Sequence, residues 1–139
     1  MKRFLLLLIA ALGLLAPACT TCQGDDEVAP ATGISGQVLY GAGDCMPVID
    51  EAARKYTGYT GELYFIQKAA LDQLGNGSFD QLRSASLHYR VKDGKLAANP
   101  PADTYVVMPA EYYTSANVVT IVAGQGVRQD FKFWRCLVY

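Results

Sequence analysis

The sequence predicts an all-β fold, an antiparallel, Greek-key β-sandwich of about seven strands. Three observations carry this. Apolar residues recur at every second position in several short runs, turn-forming residues separate those runs, and no amphipathic helix exceeds two turns. The first strand contains Ile34, Gly36, Val38 and Tyr40, alternating with Ser35, Gln37 and Leu39; the first set should face a core. Residues 62–67 (ELYFIQ) are almost continuously apolar, as a strand covered on both faces would be. Residues 69–74 suit a short helical turn, because Leu71 and Leu74 lie three apart. Leu87, Tyr89 and Val91 alternate with Ser86, His88, Arg90 and Lys92, the cleanest strand in the chain. Asp93-Gly94 then joins Val91-Lys92 to Lys95-Leu96 as a two-residue hairpin. Residues 104–108 (TYVVM) and 118–122 (VVTIV) are short and β-branched. Residues 127–139 read as one long final strand. Phe131 and Phe133 lie on one face, with Trp134 and Cys136 on the other unless a bulge intervenes near Arg135. Gly75-Asn76-Gly77, Pro100-Pro101 and Gly124-Gln125-Gly126 break the runs. The βαβ crossover of nucleotide-binding folds is missing from this pattern.

The chain divides into residues 1–18, 19–32 and 33–139. Lys2 and Arg3 precede an apolar run from Phe4 to Ala16, interrupted by Gly13. That run is shorter than the roughly 20 residues needed to cross a bilayer. It matches the apolar region of a secretory signal peptide, with small residues at its exit. The residue after Ala18 is Cys19, and this junction resembles the lipobox of bacterial lipoproteins, although Ala16-Pro17-Ala18 departs from the favoured Leu-Ala-Gly form. The resemblance implies lipidation at Cys19, and each buried methylene of an acyl chain contributes about 0.8 kcal/mol to anchoring. The membrane is therefore one expected partner, reached through the lipid alone. Residues 20–32 (TTCQGDDEVAPAT) read as a flexible tether. Its acidic run Asp25-Asp26-Glu27 resembles the surface-export signal of some Gram-negative lipoproteins; a solvated spacer is the other reading. The expected location is the cell envelope, as an outer-membrane lipoprotein of a Gram-negative bacterium.

Charge narrows the function classes. The chain has 13 acidic and 12 basic residues, and no basic excess exists to neutralise phosphates, so no nucleic-acid partner is expected. The single histidine, His88, falls on a predicted water face, which argues against a histidine metal cluster or a triad. The acidic run lacks the ligand spacing of a calcium loop, so no metal and no cofactor are expected. Neither G-x-S-x-G nor H-E-x-x-H occurs. Asp50, Glu51, Glu62 and Glu111 could in principle supply a glycosidase pair, but surface acids are the default reading. No catalytic residue is assigned.

The four cysteines are Cys19, Cys22, Cys45 and Cys136. An exported chain meets an oxidising compartment, and four cysteines permit three pairings. Lipidation would remove Cys19 from the count. Cys45 and Cys136, both inside the folded segment, are the favoured pair, with Cys22 left in the tether. Closing a loop of about 90 residues is worth about 4.6 kcal/mol in the chain-entropy model. The C-x-x-C spacing of Cys19 and Cys22 has no second C-x-x-C beside it, so a zinc or redox site there is disfavoured.

A family resemblance enters between Val91 and Phe133. Asp93-Gly94-Lys95-Leu96, Pro101-Ala102-Asp103-Thr104-Tyr105, Val106-Val107 and the loop tyrosines Tyr112 and Tyr113 follow one another as in the carboxypeptidase regulatory-like domain, a transthyretin-type sandwich. Gly36-Gln37-Val38 and Pro47-Val48 resemble its opening. Asp103 stands where the family has glycine, and residues 50–83 do not match and read as an insertion. The resemblance implies an accessory module that spaces other parts or binds proteins or glycans, without catalysis; fold alone does not assign function. Flat aromatics in loops or on an outer face can stack on sugars or anchor an interface. Among Tyr56, Tyr59, Tyr112, Tyr113 and Trp134, the expected binding surface centres on Tyr112, Tyr113 and Trp134, with structural tyrosines as the competing reading. A second expectation is an envelope or surface protease inhibitor that inserts the loop Asp44-Cys45-Met46-Pro47 into a protease cleft. A hydrolase is third.

Overall fold

The computed structural model describes residues 32–45, 51–111 and 116–137. The leader and most of the tether, with Cys19 and Cys22, lie outside the described residues, as do Tyr112, Tyr113, Met46 and Pro47. Two sheets face each other across one core, which is the predicted all-β sandwich. The first sheet is organised around β1 (Gly33–Gly43), whose 11 residues hold two partners end to end on each edge. On one edge, β5 (Lys95–Ala98) pairs antiparallel with residues 34–37, and β2 (Thr57–Gly58) with Leu39 and Tyr40. On the other edge, β8 (Gly126–Arg128) and β9 (Phe131–Cys136) run parallel to β1. The second sheet has the order β4 (Leu87–Val91), β3 (Gly61–Gln67), β6 (Asp103–Pro109), β7 (Val118–Ile121), antiparallel throughout.

Three expectations are corrected here. The sandwich is not wholly antiparallel, because the last strands return beside the first in the same direction. Side-chain alternation has a period of two in either pairing, so the pattern could not separate them. There are nine strands rather than about seven. β2 is a two-residue addition, and the long final strand is broken. The break falls at Gln129-Asp130, not near Arg135. There the Gln129 amide donates to the Ser35 carbonyl at 2.9 Å, and the Asp130 carboxylate accepts from the Gln37 amide at 2.7 Å. A charged side chain thus replaces a ladder carbonyl, and the register resumes unchanged, with Ser35 opposite Arg128 and Val38 opposite Phe131. Gly36 faces this step, and a Cβ there would collide with the Gln129 carbonyl.

The Asp93-Gly94 turn is present, with φ of 51° and 76°, the pair of positive values a type I′ turn requires. Its strands part at once. Lys92 and Lys95 form a single bridge, after which β4 joins the second sheet and β5 the first. The hairpin is therefore the corner between the layers.

Ile34, Val38, Leu63, Phe65, Tyr105, Val107, Phe131 and Phe133 are buried between the sheets. The other face of the second sheet buries Ile66, Val106 and Met108 under Leu71, Phe79 and Leu82. Those covering side chains belong to or adjoin α1 (Lys68–Asp72) and α2 (Phe79–Ala85). Residues 62–67 are therefore covered on both faces, as their apolar run predicted. α1 agrees with the expected helical turn. α2 was not anticipated; Ser78 caps it, its side chain accepting from the Gln81 amide at 3.4 Å. Leu87, whose alternation with the water-facing His88 points it to the core, is 41% exposed, because it opens an edge strand at the end of the sandwich.

The Cys45–Cys136 disulfide spans 91 residues with Cα atoms 5.4 Å apart. It ties the chain just past the end of β1 to the end of β9, strands that already lie side by side.

Candidate functional site

Alternation on β9 sends Phe131 and Phe133 into the core and Trp134 onto the outer face of the first sheet. The register places Trp134 opposite Gly41, with Gly43 two residues on. Only glycine leaves room here: a Cβ on Gly41 would lie 2.6 Å from Trp134 Cζ3, and one on Gly43 2.7 Å from Cζ2. The indole therefore rests on bare backbone. The Arg54 guanidinium lies over the ring, 4.8 Å from its centroid. Such a contact is worth about 0.5–2 kcal/mol, more as it is desolvated. Tyr56 meets the indole edge-on at 5.5 Å, and Lys132 Nζ lies 5.4 Å from the Tyr56 ring.

Glu51 fixes the geometry of this group. Its carboxylate accepts from Arg54 Nη1 at 2.7 Å through Oε2, and from the Tyr56 hydroxyl at 2.8 Å through Oε1. Burial first, and then the bond to Glu51, raise the Tyr56 hydroxyl above its ordinary pKa. The result is a layered group of glycine backbone, indole and guanidinium, with the Tyr56 phenol at the indole's edge and Lys132 beside that phenol. Trp134 is half-buried, and its Nε1 is enclosed without a hydrogen-bond partner among the described residues. The outer surface is thus formed by Arg54, Tyr56, Lys132 and Glu51 more than by the indole itself. Alternating cations and aromatic rings suit a hydroxyl-rich or acidic partner.

The tyrosines do not form one site. Tyr59 is buried at the rim of the core against Tyr40, ring centroids 5.8 Å apart. Its hydroxyl points to the Glu62 carbonyl at 3.0 Å and to Glu111 Oε2 at 3.3 Å. Burial, then the negative charge of Glu111, hold that hydroxyl well above the usual tyrosine range. Tyr40, Thr57, Gly58, Thr60 and Glu111 surround Tyr59 in an open hollow of about 370 Å³. Tyr112 and Tyr113 follow Glu111 in the chain but lie outside the described residues.

His88 is exposed on β4, its ring 5.6 Å from that of Tyr64. Glu51 serves the tryptophan stack and Glu111 the tyrosine hollow, while Glu62 sits on β3. Among the described residues, no three His, Cys, Asp or Glu side chains are grouped to hold a metal ion. Sequence reasoning singled out Trp134 but missed Arg54 and Lys132. The alternating glycines Gly41 and Gly43 signal a flat partner, but only the register identifies it. No family model, curated protein or solved structure matches the chain.

Proposed function

We propose that this chain is a non-enzymatic, lipid-anchored cell-envelope protein whose β-sandwich binds or spaces a protein or glycan partner. The observation that carries the reading is the Trp134–Arg54–Tyr56–Lys132 group on the outer face of the first sheet. It is a preorganised surface of cations and aromatic rings, the residue types enriched where partners are held. The Cys45–Cys136 bridge supports an oxidising compartment, since such bonds persist there and are rare in the cytosol. The resemblance of residues 91–133 to carboxypeptidase regulatory-like domains, and of the Cys19 junction to a lipobox, supports an accessory, anchored module.

The test is a pull-down from envelope membranes with the tether intact. A partner retained by the native bait and lost by the combined Tyr56→Ala, Lys132→Ala bait supports the outer face. Equal retention by both rejects it. A second reading, inhibition of an envelope or surface protease through Asp44-Cys45-Met46-Pro47, draws support from the bridge that fixes Cys45. Stoichiometric inhibition of a serine protease, lost on Met46→Asp, would favour that reading instead.

A further inference from the structure

A second concave region lies on the second sheet, where β3 and β4 part. β3 and β4 stay paired only as far as Phe65 and Leu87. Beyond that point β3 runs on to Gln67, paired with Tyr105 of β6, while the chain before Leu87 turns away as α2. The departing helix opens a cleft of about 460 Å³ between its C-terminal end and the start of β6. That volume falls in the roughly 300–1,000 Å³ range of small-ligand sites. Phe65 and Tyr105, each 1% exposed, form its base, and Leu82, Leu87 and Pro101 its sides. Leu87 is the exposed apolar residue at its mouth.

The polar groups in this cleft are weighted towards acceptors. Asp103 is its only charged lining residue. The carboxylate accepts from the Thr104 amide at 2.7 Å through Oδ1 and from Gln67 Nε2 at 2.8 Å through Oδ2. Those bonds hold it in place but use only two of its roughly four acceptor positions. It forms no salt bridge among the described residues. The Tyr105 hydroxyl donates to the Pro101 carbonyl at 3.0 Å, which leaves the phenol oxygen and that carbonyl able to accept. The Ser86 hydroxyl is turned away, donating to the Leu82 carbonyl at 2.7 Å.

We infer that this cleft is a binding site for an alkyl chain ending in a cationic donor, an alkylammonium or guanidinium group. The carboxylate supplies the counter-charge, the tyrosine and proline oxygens further acceptors, and the leucines the apolar walls. Burying the Asp103 charge under a neutral chain would leave it unpaired, which disfavours alcohols and acids of the same length. The chemistry is shared by free alkylamines and by lysine or arginine side chains of a polypeptide.

The test is a titration of the full-length, ¹⁵N-labelled protein at neutral pH with hexylamine, hexanol and hexanoate. Hexylamine should give saturable amide shifts at Gln67, Leu87 and Asp103, and the other two should not. Asp103→Asn should weaken hexylamine by about tenfold or more, a difference of one decade in affinity. Unchanged amide shifts at Val38 and Phe131 would show that this variant is folded. Ala85→Phe, which fills the cleft and keeps the carboxylate, should also block binding. Nα-acetyl-lysine methylamide separates the sources: tighter binding than hexylamine assigns a polypeptide side chain, weaker binding a free amine. Equal shifts with hexylamine and hexanol, no saturable shift with hexylamine, or undiminished binding by Asp103→Asn would overturn the inference.

Discussion

The two sheets of this sandwich are held by different means. The second sheet is regular and antiparallel, and its central strands β3 and β6 are buried on both faces. The first sheet depends on one strand. β1 carries every partner, its parallel ladder lapses at Gln129-Asp130, and among the described residues its outer face is covered at Trp134 by Arg54 and Tyr56 rather than by α1 and α2. The disulfide lies in the first sheet, not the second. Where burial on two faces is available no staple is needed, and where it is not, a covalent tie and a cation–aromatic contact substitute.

Substitutions can test this contrast. The largest effect is expected in the second sheet. Phe65 packs edge-on against Tyr89 at 5.3 Å and Tyr105 at 5.9 Å. Phe65→Ala should cost about 3–5 kcal/mol in urea unfolding, as a cavity between two rings cannot collapse fully. Removing the bridge with Cys45→Ser and Cys136→Ser should cost about 2–4 kcal/mol, measured the same way. A loss below about 0.5 kcal/mol would mean that the first sheet does not rely on its staple.

A smaller effect depends on pH. The Tyr59 hydroxyl is held above its ordinary pKa chiefly by burial and then by Glu111. A group whose pKa is raised on folding contributes stability that is fully present below its unfolded value, near pH 10, and is lost as pH rises through the folded value. The urea midpoint should therefore fall more steeply between about pH 10 and 11 in the native protein than in Tyr59→Phe. Identical slopes would place no such burden on Tyr59. The smallest change is expected for Arg54→Ala, about 0.5–1 kcal/mol, since only one partly exposed cation is removed. It should uncover the indole, and Trp134 fluorescence should move to longer wavelength with the fold intact.

Much of this contrast was legible in the chain. Alternation located β1 and β4, and the continuous apolar run of residues 62–67 located β3 and anticipated that something covers its outer side. What covers it was only half visible. α2 is two turns long, and its Ser78 cap and the Phe79–Leu82 spacing are weak signals beside three neighbouring turn residues. The break at Gln129-Asp130 falls in a run of three polar residues, Arg128 to Asp130, yet its cause, a carboxylate standing in for a carbonyl, depends on Gln37, 93 positions away. The candidate site was least legible. Trp134 was conspicuous, but Arg54 reaches it from a distant loop, and no local pattern encodes such a meeting. The cleft beside Asp103 depends on where α2 leaves the sheet, and in the sequence Asp103 stands out only as a departure from a family pattern.

Hydrogen exchange with and without reduction of the Cys45–Cys136 bridge tests the contrast between the sheets most directly. Reduction should speed exchange of the amides of residues 38–43 and 131–136 by about tenfold or more, while β3 and β6 keep their protection. Equal acceleration in both sheets, or in neither, would contradict it.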